Sequence, residues 1–253
     1  MVVLDGQMLS RYRVLDLTDE RAHMAGLMLA ALGAEVVCVE PPEGTRSRRI
    51  GPFAGPDATS LTHWAYNRGK QSVVGGPSEI AVLAADADIV LDCGAFDIDL
   101  EALRTANPHL VTVRVTPFGS GGPKAEWVAS DLTLMAAGCQ MSITGDADRA
   151  PVRTAVPQAW LHAGAEAAVG AMLALTERER SGLGQHVEVS AQVAAMQAAV
   201  PAMLTAPHGV ASVERFAGGM RSAVGAPYLF VYPAVDGHVT ILLLFGQIGR
   251  AHV

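Results

Sequence analysis

The sequence is poor in cysteine, poor in charge and without a long apolar run, and each shortage excludes a class of protein. Cys38, Cys93 and Cys139 are the only cysteines, odd in number and widely spaced, with no C-x-x-C pair. Such a set makes neither a disulfide framework nor a thiolate zinc site; it fits reduced, mostly buried thiols in a cytoplasmic protein. Cys38 lies within the apolar run EVVCVE, which marks it as a core residue. Charged residues make up only 17% and the net charge is −7, with no basic run to draw a nucleic acid. Arg46, Arg48 and Arg49 form one small basic cluster, suited to a phosphorylated small molecule. No uninterrupted apolar stretch is long enough to span a bilayer, and the N-terminus carries an Asp where a signal peptide needs an apolar run. The expectation is a cytoplasmic protein whose partners include neither a membrane nor a nucleic acid.

Several catalytic signatures are missing too. The turn after RVLDLT reads DERAHMAG rather than G-x-G-x-x-G, and there is no P-loop. Glu40, at the end of the second apolar run, stands where a ribose-binding acid would, but without the glycines it reads as a strand-end carboxylate. A nicotinamide-dependent oxidoreductase is therefore an alternative resting on fold analogy alone. The eight histidines are scattered, with neither H-E-x-x-H nor Cys/His zinc spacing, so no metal site is expected. No G-x-S-x-G elbow appears.

What the chain does have is apolar residues in alternating strand and helix patterns. Half of its 253 residues are hydrophobic, enough for a sizeable core. RVLDLT (13–18) reads as a strand, ERAHMAGLMLAALG (20–33) as a helix with a glycine stop, and AEVVCVE (34–40) as a near-continuously apolar strand. The pattern recurs as a helix near 78–85, a strand over 87–93, a helix over 100–108 and a strand over 110–116. The fold class is therefore α/β, an open, largely parallel Rossmann-like sheet. Further on come a helix from Ser130 into a glycine turn, a long apolar helix over 160–180, a strand over 185–190, and a helix broken at Pro201. After the glycine-rich link 215–227, two strands joined around Asp236–Gly237 read as a hairpin. The expected division is a large domain over 1–213 and the beginning of a second, smaller domain over 214–247. Residues 248–253 end the chain as IGRAHV, which reads as translated sequencing-adapter DNA and marks a truncated chain.

An ordered set of segments ties these elements to a known family. LDLT, GAEVVCVEPPEG, NRGKQSV, NPHLVTVRVTPFGSGGP, SDLTLMAAG, PVRTAV and ERERSGLGQHVEVS follow one another at the right spacing. Together, over about residues 13–246, they resemble the family III CoA-transferases of the CaiB/BaiF type, which include formyl-CoA transferases and α-methylacyl-CoA racemases. The resemblance implies a large α/β domain, a smaller one, a longer chain and two subunits interlocked as rings. It implies acyl-CoA and carboxylic acid substrates, with coenzyme A as substrate and no metal. Arg46, Asn67, Arg68 and Lys70 fall where the family contacts the nucleotide end of CoA, Arg and Lys suiting its phosphates. Gly218 and Gly219 fall on the flexible glycine loop that shields the intermediate. The segment DCGAFD is shorter than its family counterpart and lacks that segment's arginine.

One position departs from the family's chemistry. Its transferases use an aspartate at the mouth of the long helix, where unsatisfied N–H groups and the helix dipole favour an ionised acid. That carboxylate attacks the thioester to give a mixed anhydride, on which the released thiolate then acts. Aligning PVRTAV before it and Gly164 after it puts Trp160 on the aspartate's position. The racemase histidine falls on Ser130, just before Asp131. Asp131 and His162 are the remaining candidates, neither of them expected at the helix mouth, and Glu166 points about 240° away from position 160. Trp160 reads as a plug filling the acyl pocket. The function expected is that of a CoA-transferase by descent, with its own catalytic site impaired. The alternative is the non-catalytic half or partner of a tandem or heteromeric transferase, so that the whole protein is a homodimer or a heteromer with a homologue.

Overall fold

The computed structural model describes residues 7–56, 58–145, 149–205, 229–233 and 239–243. The glycine loop expected at Gly218 and Gly219 and the segment 248–253 lie outside the described residues. The chain begins with β1 (Arg13–Leu17), α1 (His23–Ala31) and β2 (Glu35–Glu40). A 3-10 turn over Arg46–Arg49 leads to a small antiparallel pair, β3 (Phe53–Ala54) and β4 (Thr59–Ser60), then α2 (Leu61–Asn67), β5 (Gln71–Val74) and α3 (Pro77–Ala84). Next come β6 (Ile89–Asp92), α4 (Leu100–Ala106), β7 (Val111–Thr116) and α5 (Asp131–Ala137). A second 3-10 turn, Gln140–Ile143, precedes α6 (Gln158–Ser181), β8 (His186–Ser190) and α7 (Ala191–Thr205). Last is an antiparallel pair, β9 (Leu229–Pro233) with β10 (Val239–Leu243), the hairpin expected there.

Six strands form one parallel sheet in the order β5-β2-β1-β6-β7-β8. With β1 central, successive strands add first to one side and then to the other, the doubly wound arrangement whose crevice opens where the direction reverses. Here that point lies between β1 and β6. Alternate strand residues feed two apolar layers. Val14, Val36, Ile89, Val111 and Val113 meet the alanine face of α6, including Ala163, Ala167 and Ala171, together with α1 and α7. Leu15, Leu17, Val39, Val90 and Leu110 face the other way, against Ile80 of α3 and Leu100 of α4. Small residues let α6 lie close to α1. A Cβ on Gly164 would sit 2.7 Å from Met24 Cβ and 3.4 Å from the Ala22 carbonyl oxygen.

The sheet's central strand is pinned by a buried ion pair. Lys70 and Asp16 side chains are 1% and 0% exposed. Lys70 Nζ donates to Asp16 Oδ2 at 2.8 Å, to the His23 carbonyl oxygen at 2.9 Å and to Asn67 Oδ1 at 2.9 Å. Asp16 Oδ1 accepts from Thr18 N at 3.0 Å and Thr18 Oγ1 at 2.6 Å. The four-residue strand β5 is exposed at every position and shows no apolar alternation, so its pairing with β2 was not legible as a strand in the sequence. Another departure is α7, which continues through Pro201 to Thr205 rather than breaking there.

Losing Lys70 would leave the Asp16 carboxylate buried beside only the Thr18 donors. Lys70→Met is expected to cost about 3–5 kcal/mol in urea unfolding at neutral pH. Gly26→Ala should be of similar severity, because its Cβ would overlap Asp16 Oδ2 and lie 2.9 Å from Lys70 Nζ. His23 supplies a second test. Its imidazole is buried, stacked on Tyr66 at 4.2 Å, and neither ring nitrogen has a partner. Burial, and then the Lys70 ammonium, push its pKa down to about 3. The unfolded chain takes up that proton near pH 6.5, so His23 makes stability fall as pH drops below about 6.5, by up to about 1.4 kcal/mol per pH unit. Subtracting the pH–stability curve of His23→Leu from that of the parent should reveal this slope between about pH 6.5 and the folded pKa.

Candidate active site

The C-terminal edge of the sheet gathers the chain's chemically active groups. As β1 ends, Asp19 Oδ1 accepts from the Cys93 thiol at 3.4 Å, and Asp19 N donates to Cys93 Sγ at 3.4 Å, linking the ends of β1 and β6. Arg21 grips the same carboxylate, Nε 2.9 Å from Oδ1 and Nη2 2.7 Å from Oδ2. Burial pushes the Asp19 pKa up, but the hydrogen bonds and charge of Arg21 outweigh it, and the carboxyl stays below its usual range. Full burial drives the Cys93 thiol far up, so it is a packing group and hydrogen-bond partner rather than a nucleophile.

Glu20 has a different environment. Its side chain is 14% exposed and one oxygen, Oε1, lies 3.1 Å from Arg46 Nε. Oε2 is buried with no hydrogen-bond partner. Burial first, and then the Asp19 carboxylate, raise its pKa. Nothing in the sequence analysis singled it out. The usable signal was an Asp-Glu pair directly after the first strand, where a dinucleotide-binding turn would carry glycine.

Trp160 lies in the first turn of α6, as expected, and is 6% exposed, packed in the core layer that holds Ala22 and Ala25. The carboxylate at this helix mouth is Asp131, which corrects the expectation that it stands elsewhere. Asp131 opens α5, where Ser130 supplies the cap by accepting from Thr133 N at 3.3 Å. Its Oδ1 accepts from Ala159 N at 2.9 Å and Trp160 N at 3.4 Å, so it serves as the missing cap of α6. Sequence spacing concealed this because 28 residues separate Asp131 from Ala159. Oδ2 is buried without a partner, and burial outweighs the N–H bonds to raise the Asp131 pKa. His162 is half-buried, which lowers its pKa, with the Asp131 charge opposing. Glu166, further along α6, is raised by burial alone.

The four residues aligned with the CoA contacts do not share one surface. Lys70 has its ammonium engaged by three protein oxygens, one of them from Asn67. Asn67 Nδ2 donates to the His63 carbonyl oxygen at 3.0 Å. Arg46 stands with Glu20 and is 73% exposed. Arg68 is exposed at the end of α2, where it lines a shallow apolar hollow with Leu61 and Trp64 and hydrogen-bonds the Ala65 carbonyl oxygen. The other arginines of the basic cluster look inward or along the backbone. Arg48 binds Glu40 through Nε to Oε2 and Nη2 to Oε1, both at 2.5 Å, while Arg49 donates to the Glu43 carbonyl oxygen at 3.1 Å. Glu40 also accepts from Ser72 Oγ at 2.6 Å and Thr45 N at 3.1 Å. Burial raises its pKa, but these donors together hold it at about 2. With both oxygens taken, Glu40 is an internal partner rather than a ribose ligand. Among the described residues, no group of three or more His, Cys, Asp or Glu is arranged to hold a metal ion, and no helix is long and apolar enough to cross a membrane.

Comparison with known proteins agrees with this architecture. The family model for CoA-transferase family III matches residues 9–248. The chain is 34% identical to succinyl-CoA:(R)-benzylsuccinate CoA-transferase subunit BbsE of Thauera aromatica, over 96% of this chain and 61% of that protein. It is 33% identical to succinate–glutarate CoA-transferase of Agrobacterium fabrum, over 72% of this chain and 50% of the relative. A CaiB/BaiF family protein from Brucella suis superposes with a TM-score of 0.74 at 30% identity, covering 81% of this chain and 59% of that one. The chain thus spans about half to three-fifths of the length of these relatives. With its six parallel strands and a family match over nearly its whole length, the chain belongs to the family III CoA-transferases.

Proposed function

We propose that this chain is a subunit of an enzyme that moves CoA between an acyl-CoA and a carboxylic acid, and that position 160 contributes no covalent step. One observation carries the second part: the Trp160 indole is 6% exposed and packed in the core, while the N–H groups of Ala159 and Trp160 already point at Asp131. An indole forms no acyl intermediate and carries no proton at neutral pH, so a side chain elsewhere must take the acyl group. The first part is supported by relatives whose names specify CoA transfer to benzylsuccinate and between succinate and glutarate. In this reading the exposed Arg46 and Arg68 meet the phosphates of CoA, and Asn67 and Lys70 brace the segment that carries Arg68 from inside. Residues 1–213 form the large domain and 214–247 begin the small one.

A second reading is favoured by the name of one relative, which is a subunit of its transferase. There the chain is the non-nucleophilic half of a heteromer and a homologous partner brings the carboxylate.

Trp160→Phe tests the plug. It should cost about 1–3 kcal/mol of stability through lost packing and leave CoA transfer by the whole enzyme, measured with succinyl-CoA and a panel of dicarboxylic acids, within about threefold of the parent. A loss of about a hundredfold or more in a folded variant would place chemistry at position 160. Asp131 offers a test of the helix cap. Asp131→Ala should lower stability by about 1–2 kcal/mol, whereas Asp131→Asn keeps an accepting oxygen and removes a desolvated charge, so it should melt at or above the parent temperature.

A further inference from the structure

Acyl transfer through an anhydride requires a carboxylate with one oxygen secured and the other free of protein partners. Among the described residues two carboxylates have a buried oxygen without a partner, Asp131 through Oδ2 and Glu20 through Oε2. They differ in what secures the first oxygen. Asp131 is tied to two backbone N–H groups, and taking its carboxylate away would uncap α6. Glu20 caps no other element: it is held by its own backbone N–H and by Arg46, a cation 73% exposed and able to follow a moving carboxylate. Its extra methylene also gives Glu20 a reach that the short Asp131 side chain lacks.

Position supports the same choice. Glu20 lies on the loop from β1 to α1, beside the point between β1 and β6 where doubly wound sheets bind ligands. Two residues further on, the Ala22 carbonyl oxygen would be 3.4 Å from a Cβ on Gly164, and Gly164 is one turn along α6 from Trp160. The loop carrying Glu20 is thus packed against the same first turns of α6 that hold the indole. A carboxylate lost from the helix side of the crevice has a counterpart on the strand side.

We propose that Glu20 is the catalytic residue that takes the acyl group in this chain. The inference rests on the CoA-transfer reading above. Glu20 Oε2 attacks the thioester carbonyl carbon, the C–S bond breaks, and the products are a glutamyl mixed anhydride and CoA thiolate. The thiolate attacks the glutamyl carbonyl carbon, releasing the donor acid as its carboxylate and leaving a glutamyl–CoA thioester. The acceptor carboxylate and the thiolate then reverse these two steps on the new acyl group, and the Glu20 carboxylate is regenerated. No oxidant, reductant or net proton is needed. The Glu20 backbone N–H and then Arg46 favour the ionised form that attacks, against the burial and the Asp19 charge that oppose it.

The whole enzyme, with any partner subunit encoded beside it, is incubated with succinyl-CoA and quenched with hydroxylamine, and its peptides are mapped by mass spectrometry. A hydroxamate on Glu20 is expected. In Glu20→Gln the label should vanish and transfer should fall at least about a hundredfold, while CoA still binds within a few-fold by calorimetry. Glu20→Asp guards against a folding artefact, since it keeps the carboxylate and should retain a low but measurable label. A hydroxamate on Asp131 or on a partner subunit, or bound CoA with no label anywhere, would overturn the assignment and leave the transferase reading intact. Absence of CoA binding by the parent enzyme would remove both.

Discussion

The buried Lys70–Asp16 pair is the constraint on which the rest of the site depends. A desolvated ammonium and carboxylate hold together only with their remaining hydrogen bonds supplied, and each of those bonds fixes a different element. Asp16 belongs to the central strand, the His23 carbonyl oxygen to the start of α1, Asn67 to the end of α2, and Thr18 to the turn into the crevice. Gly26 is required because any side chain there would occupy the space of the pair. The NRGK segment, read in the sequence as a CoA contact, is in part the internal anchor of the sheet edge that faces CoA in the proposed complex. Anchoring and contact are compatible in one segment: Asn67 and Lys70 point in, and Arg68 stays exposed.

From that anchor follows an electrostatic order along the end of β1. Asp16 is neutralised by Lys70, and Asp19 by Arg21, both at short range and under cover. Glu20 has one contact from the exposed Arg46 and one from its own backbone N–H, and Glu40 receives two from Arg48 with support from Ser72 and Thr45. Four acids thus sit near one sheet edge in graded states of satisfaction. Those with every oxygen engaged, Asp16, Asp19 and Glu40, hold structure. The one left with an unengaged oxygen and a raised pKa is Glu20, the acid proposed to react.

The sheet was legible in the sequence wherever strands are buried on both faces, since EVVCVE and LVTVRVT are rich in valine and match β2 and β7 closely. Legibility failed where burial is slight. The edge strand β5 and the helix α2, whose residues are all at least partly exposed, carry no periodic apolar signal and form through pairing with β2 and the Ser60 cap instead. Trp160 at the mouth of α6 was readable from its flanking motifs. Its consequence for Asp131 was not, because a side chain capping a helix 28 positions away leaves no local pattern. Glu20 was hidden for another reason: acids after a strand are common, and only the missing partner at Oε2 distinguishes it from its neighbour Asp19.

The helix mouth also explains how a tryptophan is accommodated at the position that the proposed reading assigns to the family's acid. A helix N-terminus needs acceptors for its free N–H groups, and an aspartate at position 160 could not by itself satisfy those of residues 159 and 160 while remaining free to react. Asp131 meets that need from a neighbouring helix, so the start of α6 is stable whatever stands at position 160. The side chain there is then free to be replaced by one that packs, and the indole does so among Ala22, Ala25 and Ala163. Structure and reactivity at the helix mouth are therefore assigned to different residues. On the proposed reading, that separation lets position 160 carry a packing side chain without loss of the fold that presents the other acids of the crevice.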